Sequence, residues 1–308
     1  MNRLRRIARH PAVKAGYFLL LVAATAFYLY RWGNRLPERM AQMRPGWVVL
    51  GLVVTSLGAV VYSFIQYTLY RRLGAPVSYW TTFRIITVSQ LGKYLPGKVM
   101  FAGNYYLLSR EAGVSNVQVG TSFVISQALW LLTASLCGLP VLALLDPALR
   151  YVIVLLPFAL ALLIHPRFLG GVLRIGQRLA RQGQGEQVSL PDGIAVTFYV
   201  WVAFLYLLAW SLTGLGAWCC LRAFGLLELN VFPLALASIA LGTAAGFVAL
   251  FAPVGLGIRE GLGAMILAPA LGPEVSLLGL VLLRGITVVV DLALALGSML
   301  AGVQRHTF

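Results

Sequence analysis

Acidic side chains are nearly missing from this chain: Asp and Glu number 9 in 308 residues, against 24 Lys and Arg. With so few acids, most of them in loops, a magnesium-dependent transferase lacks ligands. Histidine is scarcer still; His10, His165 and His306 sit near segment ends, with no zinc or haem spacing. The cysteines Cys137, Cys219 and Cys220 all fall in apolar runs, and an odd count with a vicinal pair argues against a disulfide framework. No HExxH, GxSxG, Walker loop or paired-acid motif occurs, and the glycines of 255–261 follow no strand that would make them a dinucleotide site. Glu260 would stand alone as a general acid or base. The expectation is a protein that is not an enzyme and takes neither cofactor nor metal.

Charged residues of either sign make up 11%, where a soluble surface needs about 25%. What fills the chain instead is hydrocarbon: 60% hydrophobic residues and a mean hydropathy of +0.86. The apolar runs are continuous over roughly twenty residues, whereas barrel strands alternate over about ten. The fold class is therefore an all-α polytopic membrane protein. We read about seven full transmembrane helices plus two interrupted or re-entrant helical hairpins, a candidate inverted repeat. The net charge of +15 is mostly arginine flanking apolar segments. That pattern anchors helices to anionic lipid headgroups and sets orientation, so no nucleic-acid partner is expected.

In chain order, Arg3, Arg5, Arg6, Arg9 and Lys14 precede the first apolar run, 15–30, which lacks a small-residue cleavage site. It reads as an uncleaved first span with a cytoplasmic N-terminus. Further spans are expected over 47–70, 117–145 (kinked or ended at Pro140), 151–169, 195–221, 231–251 and 275–303. An arginine-rich stretch, 166–192, reads as a cytoplasmic amphipathic connector. Residues 1–308 thus form one transmembrane domain, with a first half 1–169 and a second half 195–303.

Each half contains a broken segment. The first, 84–110, holds Gln90-Leu-Gly-Lys-Tyr-Leu-Pro-Gly-Lys98. The second, 252–271, opens on Ala252-Pro-Val-Gly-Leu-Gly-Ile-Arg-Glu-Gly261. Pro96, Gly97, Pro253, Gly255 and Gly257 interrupt the helices and would let the hairpins move. Both segments share an order of Pro-Gly punctuation, basic residue, acidic residue and Val-Ser before a long helix: Glu111 and Val114-Ser115, then Glu274-Val275-Ser276. Paired interruptions in two halves are the sequence mark of a site between repeats. Whether each segment crosses or dips stays open.

Lys93, Lys98, Arg259, Glu260, Arg284 and Asp291 lie within or beside apolar sequence. Each costs about 2.5–3.5 kcal/mol at a helix centre on insertion scales. They could be internal ion pairs, Arg284 with Asp291 or with Glu260. Four cations against two acids still leave positive charge over, and a desolvated surplus needs an anion. A phosphate-bearing headgroup fits, gripped bidentately by arginine and as a point charge by lysine.

These same residues carry a resemblance. Gly92-Lys-Tyr-Leu-Pro-Gly-Lys98 with Arg110-Glu-Ala-Gly-Val-Ser115, and Pro253-Val-Gly-Leu-Gly-Ile-Arg-Glu260 with Arg284 and Asp291, are similar to the two signatures of the lysylphosphatidylglycerol synthase/flippase membrane-domain family. The resemblance spans roughly residues 10–303. It implies a helical bundle that moves or accommodates polar lipids, an anionic phospholipid or a polyprenyl- or hopanoid-type lipid. The family's aminoacyl transferase activity belongs to a soluble C-terminal domain, which is not expected here. The expected function is a lipid translocase of the bacterial cytoplasmic (inner) membrane. Lys93, Lys98, Arg259 and Arg284 would receive the phosphate, with Glu260 and Asp291 tuning the site. The alternative is a non-transporting lipid-binding partner of a lipid or cell-envelope biosynthetic enzyme. A homo-oligomer is compatible with either.

Overall fold

A computed structural model describes residues 41–94, 99–144, 196–225, 228–248 and 257–303. The expected first span (15–30), the span 151–169, the connector 166–192, and Pro96, Gly97, Lys98, Pro253 and Gly255 lie outside the described residues. The described part contains helices and no strands. In order they are α1 Pro45–Arg72, α2 Tyr79–Leu91, α3 Val99–Glu111, α4 Asn116–Cys137, α5 Val196–Ala223, α6 Phe232–Val248, α7 Ile258–Leu271 and α8 Pro273–Val303. Short 3-10 turns follow α2 (Gly92–Tyr94) and α4 (Leu139–Leu144) and precede α6 (Leu229–Val231).

Five segments are long and apolar enough to cross a bilayer: α1, α4, α5, α6 with its leading turn, and α8. Pro45 starts α1 where its missing N–H costs no helical bond. Ser115 starts α4 with a capping box: its hydroxyl accepts from the Gln118 amide, and the Gln118 side chain accepts from the Ser115 amide. The α-helix of α4 ends at Cys137, and Pro140 sits in the turn beyond, as the sequence predicts. The cysteines are free and buried.

The bundle is built on α1 against α5, which run antiparallel. The Arg44 amide donates to the Ala223 carbonyl at one end (3.0 Å), and Leu69 and Tyr199 belong to one buried apolar cluster at the other. Small residues allow the contact: a Cβ on Gly51 would lie 3.4 Å from Cys219 Cβ, and one on Gly216 would overlap the Thr55 hydroxyl. In lipid, where apolar burial gives no driving force between helices, such close packing holds spans together.

The remaining helices are placed by these two ends. At the Arg72 end, Tyr79 of α2 packs on Tyr67, Ser109 of α3 hydrogen-bonds Tyr70 (2.7 Å), and Gln118 of α4 donates to the Leu73 carbonyl (2.8 Å). So α2 leaves from that end and α3 returns to it. Each is 13 residues, about 20 Å, short of the roughly 30 Å of a hydrocarbon core. At the Ala223 end, Trp218 donates to the Glu228 carbonyl just before α6, and Gly279 near the start of α8 lies against Leu221. There α6 leaves, and the 14-residue α7 runs back antiparallel along it, Gly242 against Arg259 and Gly263 against Ser238. The α2–α3 and α6–α7 pairs therefore enter from opposite ends of the bundle.

Candidate functional site

The tips of the two helix pairs meet a cavity of about 310 Å³. Lys93 and Gln90 come from the first tip, Arg259 from the second, and Arg284, Thr287 and Asp291 from α8. Arg284 follows Pro273 by 11 residues and Asp291 precedes Val303 by 12. At 1.5 Å per residue both lie roughly 17 Å from a helix end, at the depth where charge is most costly.

Asp291 is the hub. Lys93 Nζ lies 2.6 Å from its Oδ2, and the Tyr94 hydroxyl donates to the same oxygen at 2.5 Å. Asp291 is 8% exposed. The Tyr94 ring also receives the Arg284 guanidinium, 5.8 Å from its centroid, and lies 5.2 Å from Lys93 Nζ. This corrects the expected pairing of Arg284 with Asp291 or Glu260. The seven-position offset from Arg284 to Asp291 puts about 10 Å of axial rise between them, and Tyr94 occupies that interval.

Glu260 is 9% exposed and is not among the residues that line the cavity. Its Oε2 accepts from the Gly257 amide at the start of its own helix (3.0 Å), while Oε1 has no partner among the described residues. Gly257 takes φ +80, a conformation costly for a side-chain-bearing residue. Of the residues singled out from sequence, Lys93, Arg259, Arg284 and Asp291 thus converge and Glu260 backs them. Among the described residues the cavity holds three cations against one carboxylate, and neither Arg259 nor Arg284 forms a salt bridge.

Several contributors have no charge to reveal them. Tyr94 stands beside Lys93 in the same motif, and its role follows only from the fold. A Cβ on Gly92 would lie 2.8 Å from the Met100 carbonyl and the Phe101 amide, so glycine there lets the first tip close. A Cβ on Gly242 would lie 2.6 Å from the Arg259 carbonyl oxygen, so glycine there seats the second tip. Part of the cavity wall is aromatic: Trp130 packs on Trp210 (centroids 5.3 Å) and on Phe247 (5.4 Å).

The family described as "Lysylphosphatidylglycerol synthase TM region" matches residues 13–295. The chain belongs to that family. It is accordingly a multi-pass membrane protein whose family is tied by description to lipid. A search of curated proteins finds no match.

Proposed function

We propose that this family member is a membrane lipid translocase, and that the two helix pairs, α2–α3 as a re-entrant hairpin and α6–α7 as a hairpin whose first helix is long enough to cross, hold an anionic or phosphate-bearing headgroup between their tips. The observation that carries the reading is the charge balance of the cavity: among the described residues its lining carries Lys93, Arg259 and Arg284 against Asp291, and the buried Glu260 behind Arg259 still leaves the cations in excess. Surplus positive charge at mid-bilayer is stabilised by an anion, and the lipids around the protein present phosphate. Hairpins inserted from opposite ends with a site between their tips match the arrangement in which alternate movement of two repeats exposes one site to each side. On this reading the protein performs no covalent chemistry and works in the bacterial inner membrane. Lys98, beside the first tip in sequence, would add to the same field.

The test is movement of fluorescent anionic phospholipid between leaflets of vesicles containing the purified protein. Arg259→Ala and Arg284→Ala should each reduce the rate at least tenfold while the protein stays folded in detergent. Wild-type rates in both variants would defeat the proposal. Saturable lipid binding by the wild-type protein without any movement would instead support a lipid-binding partner of a biosynthetic enzyme.

A further inference from the structure

Lys93 holds Asp291 in the way that the ammonium of a lipid headgroup would have to hold it. Its Nζ lies 2.6 Å from Oδ2, and the Tyr94 hydroxyl donates to the same oxygen. Lys93 and Asp291 both line the cavity, and the Lys93 side chain keeps 25% of its surface exposed. Arg259 and Arg284 line the same space and are each partly exposed. A headgroup that enters therefore reaches the charges themselves.

Among the described residues Asp291 is the only acid on the cavity lining. Glu260 stands behind it, with Oε2 held by the Gly257 amide. The tip segments 95–98 and 249–256 contain no acidic residue in sequence. A phosphate oxygen thus meets three cations, whereas an ammonium meets one carboxylate that the protein's own ammonium already fills. A second ammonium would share that single negative charge with Lys93 and face two arginines. Like charge set against the wrong ligand is how a site rejects it, whatever the ligand's shape.

We infer that Lys93 is a specificity residue, a tethered ammonium that fills the cavity's carboxylate. The site then takes lipids whose headgroup is anionic and carries no ammonium. It rejects zwitterionic and aminoacylated lipids, although these also bear phosphate. This rests on the headgroup reading above and names its substrate class. Lysylphosphatidylglycerol, the lipid named in the family's description, falls in the rejected class.

The test is saturable binding of three lipids to the purified full chain in non-ionic detergent: phosphatidylglycerol, phosphatidylethanolamine and lysylphosphatidylglycerol. Phosphatidylglycerol should bind at least about tenfold more tightly than either of the others. Lys93→Met keeps the length of the side chain, removes its charge and vacates Asp291. It should weaken phosphatidylglycerol, tighten the lysylated lipid and narrow their gap to about threefold or less. Arg259→Met removes an equal charge without freeing Asp291, so it should weaken phosphatidylglycerol and leave the lysylated lipid bound no more tightly than before. If Lys93→Met does not fold, Lys93→Gln keeps a polar contact to Asp291 and is read the same way. The wild-type ranking is a test by itself. Equal affinities in the wild-type protein, or tightest binding of an ammonium-bearing lipid, overturn the selectivity and leave the phosphate site standing; the rings of the cavity would then hold the ammonium. A gap that Lys93→Met leaves unchanged overturns the role given to Lys93. Absence of saturable binding by all three lipids defeats the headgroup reading as well.

Discussion

Lys93 and Asp291, 198 positions apart, meet at 2.6 Å and tie the tip of the first hairpin to the middle of α8. The bond joins the two halves of the chain at the depth where an unpaired charge is least tolerable. It also leaves Asp291 unable to neutralise Arg259 or Arg284 fully, so hairpin docking and the positive field of the cavity depend on one carboxylate.

Removing one member of this pair should harm more than removing both. Asp291→Asn strands Lys93 among two arginines, and breaking a buried pair costs about 3–5 kcal/mol, whereas apolar replacement of both partners is often close to neutral. In a double-mutant cycle read by thermal unfolding in detergent, Lys93→Met with Asp291→Leu should be clearly less destabilising than the sum of the single changes. Additive losses would show that the contact carries no coupling.

Tyr94 separates two effects that a single deletion would merge. Tyr94→Phe removes the hydroxyl bond to Asp291 and keeps the ring beside Arg284 and Lys93. Stability should fall by about 1.5–3 kcal/mol, the range for a hydrogen bond to a charged group. Tyr94→Ala removes the cation–π contacts too and should fall further. Equal losses in the two variants would argue that the ring does nothing for the arginine.

Glycine substitutions test the close approaches directly. Alanine at Gly92 would put its Cβ 2.8 Å from backbone atoms of Met100 and Phe101, and alanine at Gly242 would put it 2.6 Å from the Arg259 carbonyl. Neither obstacle is a side chain that can swing aside, so both changes should displace a hairpin tip and depress lipid movement severalfold. Gly103→Ala, with nothing within 4 Å, is the control and should be silent. Wild-type movement in Gly92→Ala would mean that the tip is looser than the packing indicates.

Much of this was legible in sequence because charge in an apolar run has few structural excuses. Lys93, Arg259, Arg284 and Asp291 stood out for their cost alone, and the fold brings them to one cavity. Helix ends were also readable where local chemistry decides them, as at Ser115 and Pro140. The pairing of Asp291 was not, since it depends on which helix α8 faces, and the sequence offered Arg284 as a partner. Gly242 looked like one small residue among many in α6; its role is defined by the Arg259 carbonyl pressed against it. The tryptophans of α5 were indistinguishable by spacing. Trp201 is half exposed and Trp218 lies under Arg222, while Trp210 lines the cavity.

The opposed insertion of the hairpins makes a sidedness prediction that needs no knowledge of the lipid. If α2 and α3 dip and return, the exposed positions Arg71 and Glu111 share one face of the membrane. If α6 and α7 do the same from the other side, Leu229 and Ala270, also exposed, share the opposite face. The native cysteines at 137, 219 and 220 are buried and should give little background. Single cysteines at the four positions, in sealed vesicles of one orientation, should therefore label as two pairs with a membrane-impermeant maleimide. Arg71→Cys and Glu111→Cys should react from one side, and Leu229→Cys and Ala270→Cys only from the other. A split within the first pair would make residues 79–111 a true crossing, and the cations of the cavity would no longer be delivered by opposed hairpins.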